Sequence, residues 1–142
     1  MTPKERKILD KFLAKASANP NIASPPFDPK AYELFLEVPL NHPRPRHVDC
    51  LAVDRPNPTI THAEPTLWKP PFPADAVRAW IIEIGEWASY HEFGEVINDS
   101  RLLQKHYPGI KIEGKLLVYE RSMLSGEFQG LLAAHGIAQF KV

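Results

Sequence analysis

Of the 15 prolines in this chain of 142 residues, only Pro108 lies beyond Pro73. Proline fixes φ and has no amide hydrogen to donate, so it marks turns and loops rather than the interior of a helix or central strand. One cluster holds Pro20, Pro25, Pro26 and Pro29, and a second holds Pro39, Pro43 and Pro45. A third runs from Pro56 and Pro58 through Pro65, Pro70, Pro71 and Pro73. Regular elements have to fit between these clusters or follow them.

The spacing predicts a first helix capped by Thr2, with Pro3 at its first position and Glu5 completing a capping box. Ile8, Leu9, Phe12, Leu13 and Ala16 recur on one face, and Asn19-Pro20 stops it. Strands are expected at Tyr32 to Leu40, with Leu34, Leu36 and Val38 on one face, and at His47 to Val53, whose apolar run suits a strand covered on both faces. A Pro-rich connection, 54–77, carries Trp68 and Phe72, and loops of that length are usually functional or mobile. A third strand is expected at Arg78 to Glu86 and a helix from about Tyr90 to His106. A strand at Lys115 to Glu120, a short helix at Glu127 to His135 closed by Gly136, and a last strand from Ile137 to Val142 complete the order. The expectation is a single α/β domain, residues 1–142, with a mixed central sheet in the order α-β-β-β-α-β-α-β.

Hydrophobic residues make up 44% and charged residues 24%, so a packed core is expected rather than disorder. Lys plus Arg equals Asp plus Glu at 17 each, which argues against a strongly basic, sequence-indifferent nucleic-acid binder. Cys50 is the single cysteine, so an intrachain disulfide framework and Cys-rich zinc modules are excluded. No apolar run reaches the roughly 20 residues of a membrane helix, and the start of the chain lacks a signal-peptide pattern. A cytoplasmic protein with no membrane partner is the expectation. There is no Gly-x-Gly-x-x-Gly, P-loop, Gly-x-Ser-x-Gly or zinc-deaminase signature.

Two acids stand in apolar strands: Asp49 in His47-Val48-Asp49-Cys50-Leu51-Ala52-Val53, and Glu83 in Trp80-Ile81-Ile82-Glu83-Ile84-Gly85. A buried carboxylate calls for a cation, a metal or a raised pKa. Two on neighbouring strands can share a divalent cation, because Mg²⁺ is held by one or two carboxylates plus waters and phosphate oxygens. The alternative is that Glu83 pairs with Arg46 or Arg78 at a strand end. Strand alternation puts His47 on the face of Asp49, and Gly85 on the face of Glu83.

These residues resemble the PD-(D/E)XK, or restriction-endonuclease-like, nucleases, whose core is an α-β-β-β-α-β unit with a metal-binding Asp on the second strand and Glu-x-Lys on the third. Arg46-His47-Val48-Asp49 is similar to that family's Arg-x-x-Asp. Gly94-Glu95 stands where many compact members have Gly-Gln, and Gly136-Ile137 leads into a similar last strand. The resemblance implies a Mg²⁺- or Mn²⁺-dependent nuclease acting on DNA phosphodiesters. Asp49, Glu83 and Glu95 would be its catalytic acids, and Asp49, Glu83 and His47 its metal ligands. A homodimer is among the assemblies it implies.

The chain departs from the pattern where the family lysine should stand, two residues after Glu83. Gly85 is there, and glycine cannot supply a fixed cation to a phosphate. Lys115 on the neighbouring strand and Lys69 in the long loop are candidates for a relocated lysine. Val48 replaces the proline before the Asp, and Glu95 adds an acid where the family has a neutral side chain.

Arg44 and Arg46 before the second strand, and Lys7 and Lys11 on the first helix, are candidate nucleic-acid contacts; at zero net charge a solvated helix face is the simpler explanation of the helix lysines. Trp80, Trp87 and Tyr90 bracket the acidic strand and either stack on unpaired bases or fill the core. Glu95 and Asp99 lie one helical turn apart, a destabilising spacing unless a cation or basic partner is near. Three readings follow: a metal-dependent nuclease, a degenerate nucleic-acid-binding or assembly module on the same fold, and an interaction protein using the Pro-rich loop as its contact surface.

Overall fold

The computed structural model describes residues 1–22, 26–40, 46–55, 60–62, 77–122 and 126–142. Trp68, Phe72, Arg44 and Lys69 lie outside them. Helix α1 (Pro3–Ala18) starts as its sequence dictates: Thr2 Oγ1 accepts the Glu5 N–H at 3.1 Å, and Glu5 Oε2 accepts the Thr2 N–H at 2.7 Å. The strands are β1 (Glu33–Leu40), β2 (Arg46–Val53), β3 (Ile60–His62), β4 (Val77–Ala88), β5 (Ile110–Ser122) and β6 (Ile137–Lys141). Helix α2 (Tyr90–His106) lies between β4 and β5, and α3 (Gly126–Ala134) between β5 and β6.

Among the described residues these strands form one mixed sheet in the order β3-β1-β2-β4-β5-β6, five long strands with the three-residue β3 at one edge. β1 and β2 are antiparallel, as are β2 and β4, while β4, β5 and β6 run parallel. The chain is an α/β protein. None of its described helices is long and apolar enough to cross a membrane.

α1 covers one face through Ile8, Leu9, Phe12 and Ala16, which pack on Leu34, Leu36, Cys50, Trp80, Ile82 and Val118. On the other face, α2 brings Leu103 to Phe35, Leu51 and Ile81, while Val96 of α2 meets Phe128 and Leu132 of α3 over Leu117. The Trp80 ring lies across Gly114, where a Cβ would stand 2.5 Å from it, so the large and small residues of this strand pair are matched. Facing them, the β4–β5 register shifts between Ala79 and Trp80.

Two expectations need correction. Val38 does not share a face with Leu34 and Leu36; it packs with Phe35 and Leu40 instead. The cause is Glu37, whose φ of 55° breaks the alternation between Leu36 and Val38. A non-glycine residue there costs about 1–2 kcal/mol, and the Glu37 carboxylate is held by the Met1 ammonium. The connection 54–77 is not structureless throughout, because Ile60–His62 pairs in parallel with Leu34 to Leu36.

Candidate functional site

β2 and β4 pair only from Cys50 with Ile82 to Val53 with Ala79. Past Ile82, β4 continues along β5 as far as Ala88, and the two strands part company. Asp49 stands in the fork. Its Oδ2 accepts the Ile84 backbone N–H at 2.9 Å, so a side chain takes over where the ladder stops. A cleft of about 560 Å³ opens here, lined by Met1, Thr2 and Glu5 from the start of α1, Arg46, His47 and Asp49 from β2, Glu83 and Ile84 from β4, and His91, Glu95 and Asp99 from α2.

The structure therefore brings Asp49, Glu83 and Glu95 to one place. Glu83 is 2% exposed, and its Oε1 has no hydrogen-bond partner. Burial first, then the charges of Asp49 and Asp99 and hydrogen bonding with both, push its carboxyl well above the ordinary range. Glu95 is raised too, mainly by burial, with His91 opposing and Asp49, Asp99 and Glu92 adding to the rise. Its Oε1 lies 2.8 Å from His91 Nε2. His47 sits at the rim, its Nε2 3.4 Å from Asp49 Oδ1.

Arg46 does not reach Glu83 as a partner, and Arg78 is exposed on β4. Arg46 is committed to Asp99, with Nε at 3.1 Å and Nη2 at 2.7 Å from the same Oδ1. Asp99 is buried and belongs to the site, a residue the sequence reading left out of its candidate set. Its signal was the Glu95–Asp99 spacing, which needed a basic partner and has one in Arg46.

Position 85 is closed to a long side chain. A Cβ on Gly85 would stand 2.9 Å from Glu92 Cγ and 3.0 Å from the Trp87 carbonyl oxygen. The first turn of α2 thus fills the space through which a lysine two residues after Glu83 would project. Glu92 is held there by the hydroxyl of Ser89, the α2 cap. Lys115 is half-buried on β5, paired in register with Ile81 and Ile137, and does not line the cleft. Lys7 and Lys11 are exposed along α1, also away from the cleft.

The donor set suits a hard divalent cation: carboxylate oxygens, one of them buried and unpartnered. Among the described residues, no three His, Cys, Asp or Glu side chains meet as a ready metal-holding group. Asp49 with Glu83 is a two-carboxylate arrangement, and one or two carboxylates are enough for a Mg²⁺ that keeps most of its waters.

Fold and site together define an α/β protein with an acid-lined cleft in a forked sheet. Comparison with protein-family models, with curated proteins and with solved structures gave no match.

Proposed function

We propose that the cleft holds a divalent cation of the Mg²⁺ or Mn²⁺ type between Asp49 and Glu83, and that the protein hydrolyses nucleic-acid phosphodiesters, with DNA as the substrate. The supporting observation is Glu83: a buried carboxyl with an unpartnered oxygen, beside a second strand acid, in a cleft open to solvent. Such a group is neutralised either by a proton or by a cation shared with Asp49. The resemblance to the PD-(D/E)XK nucleases gives the reaction class.

In this reading Asp49 and Glu83 are the ligands, and Glu95 orders water from the α2 side. Arg46, clamped by Asp99, presents the fixed positive charge that Gly85 lacks. When bound, the cation supplies neutralisation of phosphate charge and acidification of a water.

A second reading, binding without cleavage, is favoured by one observation. Glu92 fills the space beside Gly85, and among the described residues no lysine lines the cleft. Mn²⁺ titration followed by calorimetry, together with cleavage of labelled single- and double-stranded DNA, separates the two. The nuclease reading expects cation binding and cleavage, both lost in Asp49→Asn and Glu83→Gln. Cation binding without cleavage at enzyme excess supports the second reading, and absence of cation binding by the wild type removes the metal site altogether.

A further inference from the structure

Three large apolar side chains are exposed among the described residues: Ile60 at 44%, Trp87 at 39% and Tyr90 at 64%. Two of the three stand together where β4 turns into α2. Tyr90 immediately precedes His91 on the cleft wall. Trp87 lies four residues beyond Glu83 along β4, about 13 Å at the rise of a strand. Trp80, the third aromatic of this stretch, is in the core.

Both rings are held in place yet left open. The guanidinium carbon of Arg121, the β5 residue opposite Trp87, lies 5.6 Å from the indole centroid. Tyr90 meets Phe128 edge to face, with centroids 5.0 Å apart and planes at 87°, and Phe128 is steadied in turn by Phe93 at 6.4 Å. Rings supported by neighbours and facing water offer flat surfaces at low entropic cost. A cation against one of them adds attraction for a polyanion.

We infer that Trp87, Tyr90 and Arg121 form a stacking platform beside the cleft, next to its His91 wall, for an unpaired nucleobase, so that the polymer taken is single-stranded nucleic acid. The inference rests on the reading of the cleft as a phosphodiester site, and it names the substrate class. The acids lie inside the cleft, with Asp49 8% and Glu83 2% exposed, so the backbone has to come to them. A duplex keeps the faces of its bases stacked inside and offers none to Trp87 or Tyr90, whereas a single strand offers every one. Arg121 beside the platform is exposed, with its Nε 4.0 Å from Glu120 Oε1, and supplies charge opposite to the phosphates that flank that base.

The test is fluorescence anisotropy with a labelled deoxythymidine oligomer and a labelled blunt-ended duplex without a loop, in EDTA so that no cation contributes. The single strand is expected to bind more tightly than the duplex. Trp87→Ala and Tyr90→Ala should each weaken single-strand binding roughly 5- to 100-fold, while Trp87→Phe and Tyr90→Phe retain most of it, with unchanged circular dichroism throughout. Equal affinity for the duplex, alanine variants that bind as the wild type does, or no binding of either probe by the wild type would overturn the platform. The Mn²⁺ titration of the cleft is a separate measurement, so failure of the metal site and failure of the platform are told apart.

Discussion

Asp49 Oδ2 and the backbone N–H of Ile84 are 2.9 Å apart, one step beyond the last β2–β4 ladder pair. This side chain has two duties, as a structural acceptor and as a charge beside Glu83. The duties separate by substitution. Asp49→Asn keeps an acceptor oxygen and removes the charge, so at neutral pH it should be at least as stable as the wild type. Asp49→Ala leaves a buried N–H unpaired and should fall below Asp49→Asn by about 1–3 kcal/mol. Urea unfolding of the three proteins measures both differences, and equal stability of the two variants would deny the structural duty.

Glu83 makes stability depend on pH in a defined direction. Its carboxyl is raised in the folded state above the ordinary value of 4.5, so the native protein holds a proton that the unfolded chain has already released. Its contribution is complete below the ordinary value and is lost as pH rises towards the folded one, by at most about 1.4 kcal/mol per pH unit for a single proton. In EDTA, the stability of Glu83→Gln minus that of the wild type should therefore grow with pH across this window. Mn²⁺ competes with the same proton, so its binding should tighten with pH and release protons that calorimetry in two buffers detects. A flat difference between the proteins would show that Glu83 titrates normally.

Gly85 and Glu92 share one volume, and the pair can be tested by a double-mutant cycle. Gly85→Lys should cost about 1–3 kcal/mol in the wild-type background, because its Cβ meets both Glu92 and the Trp87 carbonyl oxygen. In Glu92→Ala the same substitution should cost less, with a coupling of about 0.5–3 kcal/mol. Thermal unfolding of the four proteins gives the number. Additive effects would mean that Glu92 is not what fills the space.

Arg46→Ala leaves the carboxylate of Asp99 buried without its cation. Breaking a fully buried pair costs about 3–5 kcal/mol; the Arg46 side chain keeps 29% of its exposure, so about 2–3 kcal/mol is expected. Removing both partners, with Asp99→Asn added, should recover part of the loss. Lys at position 46 should recover less than Arg provides, because two guanidinium nitrogens converge on one oxygen of Asp99.

What the sequence disclosed was local. The Thr2–Glu5 capping box depends on neighbouring residues, and α1 and α2 lie where spacing puts them. The sequence pattern marks only Lys115 to Glu120 of β5, which extends from Ile110 to Ser122, because its early half, interrupted by Gly114, makes sense only against Trp80 on β4. β3 has three residues and no pattern of its own; its pairing with β1 is a contact across the chain. The same holds at the site. Asp49 and Glu83 are legible as acids in apolar strands, whereas Asp99 is legible only as an acid one turn from Glu95, and its partner Arg46 comes within reach only when α2 is laid over β2. Trp87 and Tyr90 were indistinguishable from Trp80 by composition, and only burial separates them.

Four ladder pairs, Cys50 to Val53 with Ala79 to Ile82, stitch β2 to β4, with the Asp49–Ile84 and Asp54–Arg78 hydrogen bonds at either end. The sheet is thus two plates meeting at a short seam, with Asp49 on one plate and Glu83 on the other, just past the seam's open end. On the proposed reading, a cation shared by those two acids would be a rivet across the plates where the backbone ladder has ended. On the proposed reading, loading the cleft would brace this end of the sheet, and withdrawing the cation would leave that end the first to unzip.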